Sequence, residues 1–422
     1  MKIHIKTFGL ILAMASGFMC SCSEFLDESP ESTYNTETFY TSQTDFEYAI
    51  TAVYAAQQDL YDGEYGLLRM NNTRSDDTDC DDFNTYSDGY AVFTDNALVQ
   101  ATRKTYASLY VMITRANSIL VRIDDVEFSN RDLKGYIKGE AYALRGWAYH
   151  SLGVLFGGVP LIVDAEYTVA ETRAIGRSTQ EETFSQALSD YQKAYDLLPV
   201  SWDTENIGRV SKYAAKALEG RLYMFQGNYQ AAQTALKTVI DSGIYDMADE
   251  YVKCFHSDNE NQPQNDRIWE VQYIGGQLGE GQSFSEASLQ EDTSSPWNFV
   301  RGSSAALNAS SDIVADYEEG DLRMGVSMAN NLTIKGVVDE RYFFIKFNHT
   351  SYTPKSSDDW DVNLPIIRYT DVLMMYAEAV NQISGPTNEA VAIINRVRSR
   401  AGLADLTSAQ TAGKDAFLTA IK

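Results

Sequence analysis

YAAKALEGRLYMFQGNYQAAQTALKTVIDSG, residues 213–243, decides the fold. Ala217 and Tyr223 sit on one face of a first helical stretch. Gly227-Asn228-Tyr229 reads as a turn, and Ala232, Ala235 and Val239 recur at helical spacing after it. Small residues let two helices approach closely, a glycine supplies the turn, and an aromatic wedges against the next helix. The pattern predicts helices over Lys212–Gln226 and Tyr229–Ser242, paired as in a tetratricopeptide repeat.

Two further pairs extend the pattern. Asp371–Gly402 carries Ala377 and Ala379, a turn at Ser384-Gly385-Pro386, then Ala390, Ile394 and Val397. Ala187-Leu188, Tyr191, Ala194, Leu197 and Pro199 read as a second helix with its closing proline, whose first helix is Lys138–Val154 with a loop inserted between. Helical spacing also marks Asp45–Tyr61, Thr105–Ile123, Leu133–Val154, Thr183–Leu198, Asp371–Ile383 and Asn388–Arg400. The best strand-like runs are Ile268–Ile274 and Arg341–Phe347. The expected fold class is mainly α: a tetratricopeptide-repeat helical scaffold with large loop insertions and little β.

The start of the chain reads as an export signal over residues 1–21. Lys2 and Lys6 precede an uncharged apolar run, Thr7–Met19, too short to span a bilayer. Met19-Cys20-Ser21-Cys22 ends it. A lipoprotein signal needs a small residue before the lipidated cysteine. Ser21 supplies one for Cys22, whereas Met19 fits poorly before Cys20, so Cys22 is the expected lipidation site and acyl chains the anchor. Secretion without lipid is the plainer alternative. Residues 22–422 then read as one helical-repeat domain.

The chain has 34 basic and 59 acidic residues; losing Lys2 and Lys6 with the leader takes the formal charge from −25 to −27. That balance argues against nucleic acid and anionic membrane surfaces as partners. Cys80 and Cys254 remain beside Cys22, either paired or free. No CxxC or Cys/His cluster suggests a metal, so neither metal nor cofactor is expected. No GxSxG elbow, HExxH helix, P-loop or Rossmann glycine pattern appears, and paired carboxylates discriminate nothing in so acidic a chain. The chain reads as a binding protein rather than an enzyme. Its 27 tyrosines suit sugar faces, although most belong between helices.

Specific strings sharpen this. Cys22-Ser23-Glu24-Phe25-Leu26-Asp27, Thr114-Arg115-Ala116-Asn117, and Gly139-Glu140-Ala141 with Leu144-Arg145 and Tyr149, running into Leu155-Phe156-Gly157-Gly158-Val159-Pro160-Leu161, resemble the SusD/RagB family. So do Arg177-Ser178-Thr179, Asp316-Tyr317-Glu318 with Asp321-Leu322-Arg323, Leu364–Ala379 and Ile394–Leu403. The resemblance covers nearly the whole chain. It departs at the end: members usually continue into an Arg/Glu-rich segment with a Trp-Phe-Asp-Leu-type motif, so a C-terminal truncation is expected. Arg145, Arg368, Asp371 and Glu378 read as structural, the last three as formers of ion pairs between helices. The resemblance implies a lipid-anchored protein exposed on the outer membrane. It would capture an oligosaccharide and pass it to a SusC-type TonB-dependent porin. Peptide capture is the alternative, since both ligand classes share this scaffold.

Family sites are built from loops between helices, and three insertions are rich enough. Arg69–Tyr90 offers Arg74, Asn84 and Tyr86; Gly275–Arg301 offers Trp297, Asn298 and Arg301; His349–Asp361 offers Tyr352 and Trp360. Trp297 and Trp360 stand in polar, turn-rich sequence and are the expected stacking residues, whereas Trp147 lies mid-helix and reads as core. The Asp76–Asp82 cluster has carboxylates for Ca²⁺ but lacks EF-hand spacing, so it reads as a solvated acidic loop.

Overall fold

The computed structural model describes residues 39–422 apart from 62–65, 81–88, 92, 164–166, 168, 262–265, 285–292, 295–306 and 335. The expected leader and the expected lipidation site Cys22 lie outside the described residues.

The deciding stretch forms two helices, α7 (Lys212–Phe225) and α8 (Tyr229–Asp241). Ser211 caps the first through the Ala214 amide, and Asn228 caps the second through the Ala231 amide. Gly227 turns the chain between them at φ +69°, a conformation that costs other residues more. Ala217, Ala232 and Leu236 are fully buried at the contact. A methyl at Gly220 would stand 2.7 Å from Leu236, so the two helices touch at glycine.

The same pairing recurs along the chain. α1 (Gln43–Tyr61) packs on α3 (Gln100–Leu120), with α2 (Leu67–Arg74) between them in sequence. α4 (Arg131–Phe156) packs on α6 (Gln180–Leu197), the short α5 (Val169–Ala174) falling in the insertion. α11 (Tyr369–Ser384) packs on α12 (Asn388–Arg400), and α13 (Lys414–Ile421) also lies on α11. Each pair also contacts the next, α3 on α4, α6 on α7 and α8 on α11. The result is the mainly helical paired scaffold expected from the sequence. Several helices start on a capping side chain: Asn130 caps α4, Thr179 and Glu182 form a capping box on α6, and Thr387 caps α12.

The strands are short and serve the insertions. β2 (Arg267–Val271) pairs antiparallel with β9 (Leu364–Arg368), which runs straight into α11. Asp266 fastens that junction, accepting from the Thr370 amide at 2.6 Å and from Arg400 Nη1 at 3.1 Å. β1 (Thr78–Cys80), β4 (Leu307–Ala309), β8 (Phe343–Phe344) and β5 (Met328–Ala329) form a four-stranded antiparallel sheet in the order β1-β4-β8-β5. This sheet sets residues 78–80 beside residues 307–309, far apart in sequence. β3 (Thr293–Ser294), β6 (Leu332–Ile334) and β7 (Val337–Asp339) form a further small sheet, and the short α10 (Leu322–Ser327) leads into β5.

Two expectations change. The stretch Arg69–Tyr90 is not all loop, because α2 runs into it and β1 lies within it. An eight-residue helix offers too few apolar repeats, here Leu67 and Met70, to show a period. The strand expected over Arg341–Phe347 shrinks to Phe343–Phe344, the two residues that find partners on β4 and β5.

Candidate ligand-binding cleft

The β1–β4 ladder pairs Thr78 with Ala309 and Asp79 with Asn308. Just beyond it, Ser310 begins α9 (Ser311–Asp316). Its amide donates to the Asp77 carbonyl at 2.8 Å, and its hydroxyl donates to the Asp76 carbonyl at 2.6 Å while capping the Ile313 amide. One serine therefore closes the helix and ties two distant segments together. Between them opens a cleft of about 650 Å³ lined by Arg74, Asp76, Asp79, Phe93, Ser311 and Asp312 among others. That is the size of a small-molecule site.

Phe93 stands at this cleft, 68 % exposed. Its backbone has φ +55°, a sparsely populated state for a bulky residue that costs on the order of 1–3 kcal/mol. A tight turn holds it: its amide donates to the Tyr90 carbonyl at 3.2 Å, and the Thr94 amide to the Gly89 carbonyl at 2.9 Å. Arg74 lies against this turn. Its guanidinium carbon is 5.6 Å from the Phe93 ring centre and 5.7 Å from that of Tyr90, and Nη1 pairs with Asp95 at 3.0 Å. An exposed aromatic held in place by a cation and a strained turn is a ready stacking face. Sequence reading found Arg74 and missed Phe93; the available signal was the apolar run Tyr90–Phe93 inside otherwise polar sequence.

The remaining candidates divide. Asn84, Tyr86, Trp297, Asn298 and Arg301 lie outside the described residues. Trp360 is 2 % exposed, and its backbone exchanges hydrogen bonds with Gln282 at 2.9 and 3.3 Å, so it offers no open stacking face. The expectation for Trp360 is corrected: the two insertions fold onto each other and bury it. Asp359 fastens them, accepting from the amides of Gly276, Gln277 and Lys355 at 2.8, 2.7 and 2.9 Å and from the Tyr352 hydroxyl at 2.5 Å. These bonds hold the Asp359 carboxyl below its ordinary range against the opposing effect of burial. Tyr352 is thus engaged in the clasp, its hydroxyl also accepting from the Gly276 amide at 3.0 Å. Trp147 is buried in the core, as its place in the helix predicts.

Three of the family-type charges are structural. Arg145 pairs with Asp190 of α6, Arg368 pairs with Asp371 at 2.6 Å at the start of α11, and Asp371 lies 3.8 Å from Arg221 of α7. Arg368 thus pairs within its own helix start rather than between helices, and among the described residues Glu378 forms no ion pair. Cys254 is a buried free thiol beside Asp266, its pKa pushed up to about 12 by burial and the neighbouring carboxylate. Among the described residues no group of three or more His, Cys, Asp or Glu side chains is set to hold a metal ion.

Comparisons with known proteins place this architecture. A family model described as "Starch-binding associating with outer membrane" matches residues 24–224, and that of the SusD family matches residues 310–422. SusD-like protein P25 of Formosa agariphila is 26 % identical over 94 % of this chain and 82 % of its own length. A laminarin-binding SusD-like protein superposes with a TM-score of 0.76 at 24 % identity, over 87 % of this chain and 86 % of that one. Surface glycan-binding protein A of Bacteroides thetaiotaomicron, in complex with laminarihexaose, superposes at 0.73 with 18 % identity, over 90 % and 86 %. Motifs, paired helices and matches at both ends of the chain agree, and the protein belongs to the SusD/RagB family.

Proposed function

We propose that this protein is a lipid-anchored glycan-binding protein of the outer-membrane surface that hands its ligand to a SusC-type TonB-dependent porin. The observation that carries the reading is the cleft beside Phe93. It combines an exposed aromatic face with carboxylates, hydroxyls and a guanidinium, the groups that hold a sugar by stacking and polar contact. The names of structural neighbours that bind laminarin or laminarihexaose support the ligand class. The family description supports the outer membrane, and the Ser21-Cys22 junction supports the lipid anchor. No helix among the described residues is long and apolar enough to cross a membrane. Arg74 and Phe93 would contact ligand, with Asn84, Tyr86, Trp297, Asn298 and Arg301 assigned from sequence. The reading involves binding and release, with no covalent step.

Affinity electrophoresis of residues 23–422 through gels carrying starch, laminarin and other polysaccharides tests it. Retardation by at least one glycan, weakened in Phe93→Ala, supports the reading. A folded protein that no glycan retards sinks it and favours a peptide ligand.

A further inference from the structure

A second cleft, of about 440 Å³, lies between the Val200–Ser211 segment and β2, and shares no lining residue with the first. Its walls carry Trp202, Ile207, Arg209, Tyr245, Glu270 and Gln272. The Trp202 indole is pinned at one edge, donating from Nε1 to the Val210 carbonyl at 2.9 Å and meeting Tyr136 edge-on with ring centres 5.5 Å apart. The rest of the ring is half-buried at the cleft. Val200 and Ile207, each 44 % exposed, form an apolar rim.

Below the rim the groups are polar and already fixed. Arg209 Nη1 stands 3.2 Å from both oxygens of the fully buried Glu140 carboxylate, and its guanidinium carbon is 5.8 Å from the Trp202 ring centre. Nη1 makes both bonds to Glu140, and the rest of this five-donor fork has no hydrogen-bond partner among the described residues. Gln272 is held by Asn261 Nδ2 at 2.7 Å and Asn363 Nδ2 at 3.1 Å, both donating to its Oε1. Gly208, at φ +90°, lets the turn lie on this amide; a methyl there would meet Gln272 Cδ at 2.5 Å.

Charge decides the kind of ligand. Both arginines are matched by buried carboxylates: Arg209 by Glu140, and Arg267 by Glu270 at 2.9 Å. The cleft presents fixed donors and acceptors beside an indole but little unbalanced charge. That suits an uncharged molecule with one apolar face and several hydroxyls better than an ion. We propose that this cleft is a second glycan site, taking one neutral pyranose unit against Trp202 with its hydroxyls on Arg209 and Gln272. The proposal does not depend on the first cleft.

The test titrates residues 23–422 with methyl glycosides and disaccharides of glucose, mannose, galactose and xylose, and with glucuronic acid and short neutral peptides. Binding is read by saturation-transfer NMR and tryptophan fluorescence in the parent, Phe93→Ala, Trp202→Ala and Val200→Arg. The last substitution blocks the cleft from an exposed rim position and leaves the packing beneath untouched; circular dichroism checks that each variant is folded. The proposal expects a neutral sugar whose affinity stays within about twofold in Phe93→Ala and falls at least about tenfold in Trp202→Ala or Val200→Arg. Binding unaffected by both cleft variants, loss in Phe93→Ala, preference for glucuronic acid or peptides, or no sugar binding at all would overturn it. Failure of the first cleft shows separately, as polysaccharide-gel retardation that Phe93→Ala leaves unchanged, and leaves this result readable.

Discussion

Arg145 of α4 grips Asp190 of α6 through two parallel hydrogen bonds, Nε to Oδ2 and Nη2 to Oδ1, each 2.8 Å. Both side chains are buried, and Arg145 Nη1 also reaches Asn117 Oδ1 of α3 at 2.6 Å and the Val163 carbonyl at 2.8 Å. One guanidinium therefore joins three helices and the loop after α4. Asn117 and Arg145 both fall in the family-like strings, and here they lock the scaffold together. A methyl at Gly146 would crowd Asp190 and Tyr191 at 3.1 and 3.2 Å, so the same turn of α4 is shaped for this contact.

Removing one partner of a buried, hydrogen-bonded pair strands the other charge. Asp190→Ala should destabilise the protein by roughly 3–5 kcal/mol, whereas replacing both residues with apolar ones of similar volume should recover much of the loss. Urea unfolding of the single and double variants checks this. Equal loss in both would mean that the charges are not what holds α4 to α6.

Gly158→Ala should be severe. A methyl there would stand 1.9 Å from the Ser178 carbonyl oxygen, and backbone cannot step aside as a side-chain tip can. The Arg177 side chain already fastens the two segments, donating from Nη2 to the Phe156 carbonyl at 2.7 Å. Thermal unfolding should show a large drop; a variant that melts with the parent would contradict the close approach.

Helices that bury small residues at regular spacing were legible because the period of 3.6 survives in the sequence: Ala217, Ala232, Ala235 and Val239 all proved buried. The loop residues were less legible, because exposure of a lone aromatic depends on partners distant in sequence. Trp360 looked free and is buried, its backbone paired with that of Gln282 from a distant insertion, while Phe93 looked ordinary and is held out by a left-handed turn. The β1–β4 pairing that builds the cleft joins residues more than 200 apart, which no local pattern reveals.

Tyr352 donates to Asp359 and accepts from Gly276, so it serves the clasp of the two insertions. Tyr352→Phe should lower the melting temperature by a few degrees and change glycan affinity by less than about twofold. A large affinity loss at unchanged stability would return this residue to the ligand.

Glu260 is shielded from water near Glu270 and Asp361, and burial, then the Glu270 charge, pushes its pKa up to about 9, against the lowering effect of the Asn363 amide and Arg267. A carboxyl whose pKa rises on folding stabilises the native state below its unfolded pKa. That contribution drains away as pH climbs from about 4.5 through about 9. Glu260→Gln mimics the protonated form. It should match the parent near the acid end of this window and melt above it near the alkaline end. A parent that gains on the variant as pH rises would reverse the sign and refute the assignment.

The most direct test of the central claim is the mobility of residues 23–422 in polysaccharide-containing gels, parent beside Phe93→Ala and Arg74→Ala. The account predicts retardation by at least one glycan in the parent and a clear release in Phe93→Ala, with both variants folded. Unretarded migration of a folded parent in every glycan, or retardation that Phe93→Ala leaves intact, would contradict it.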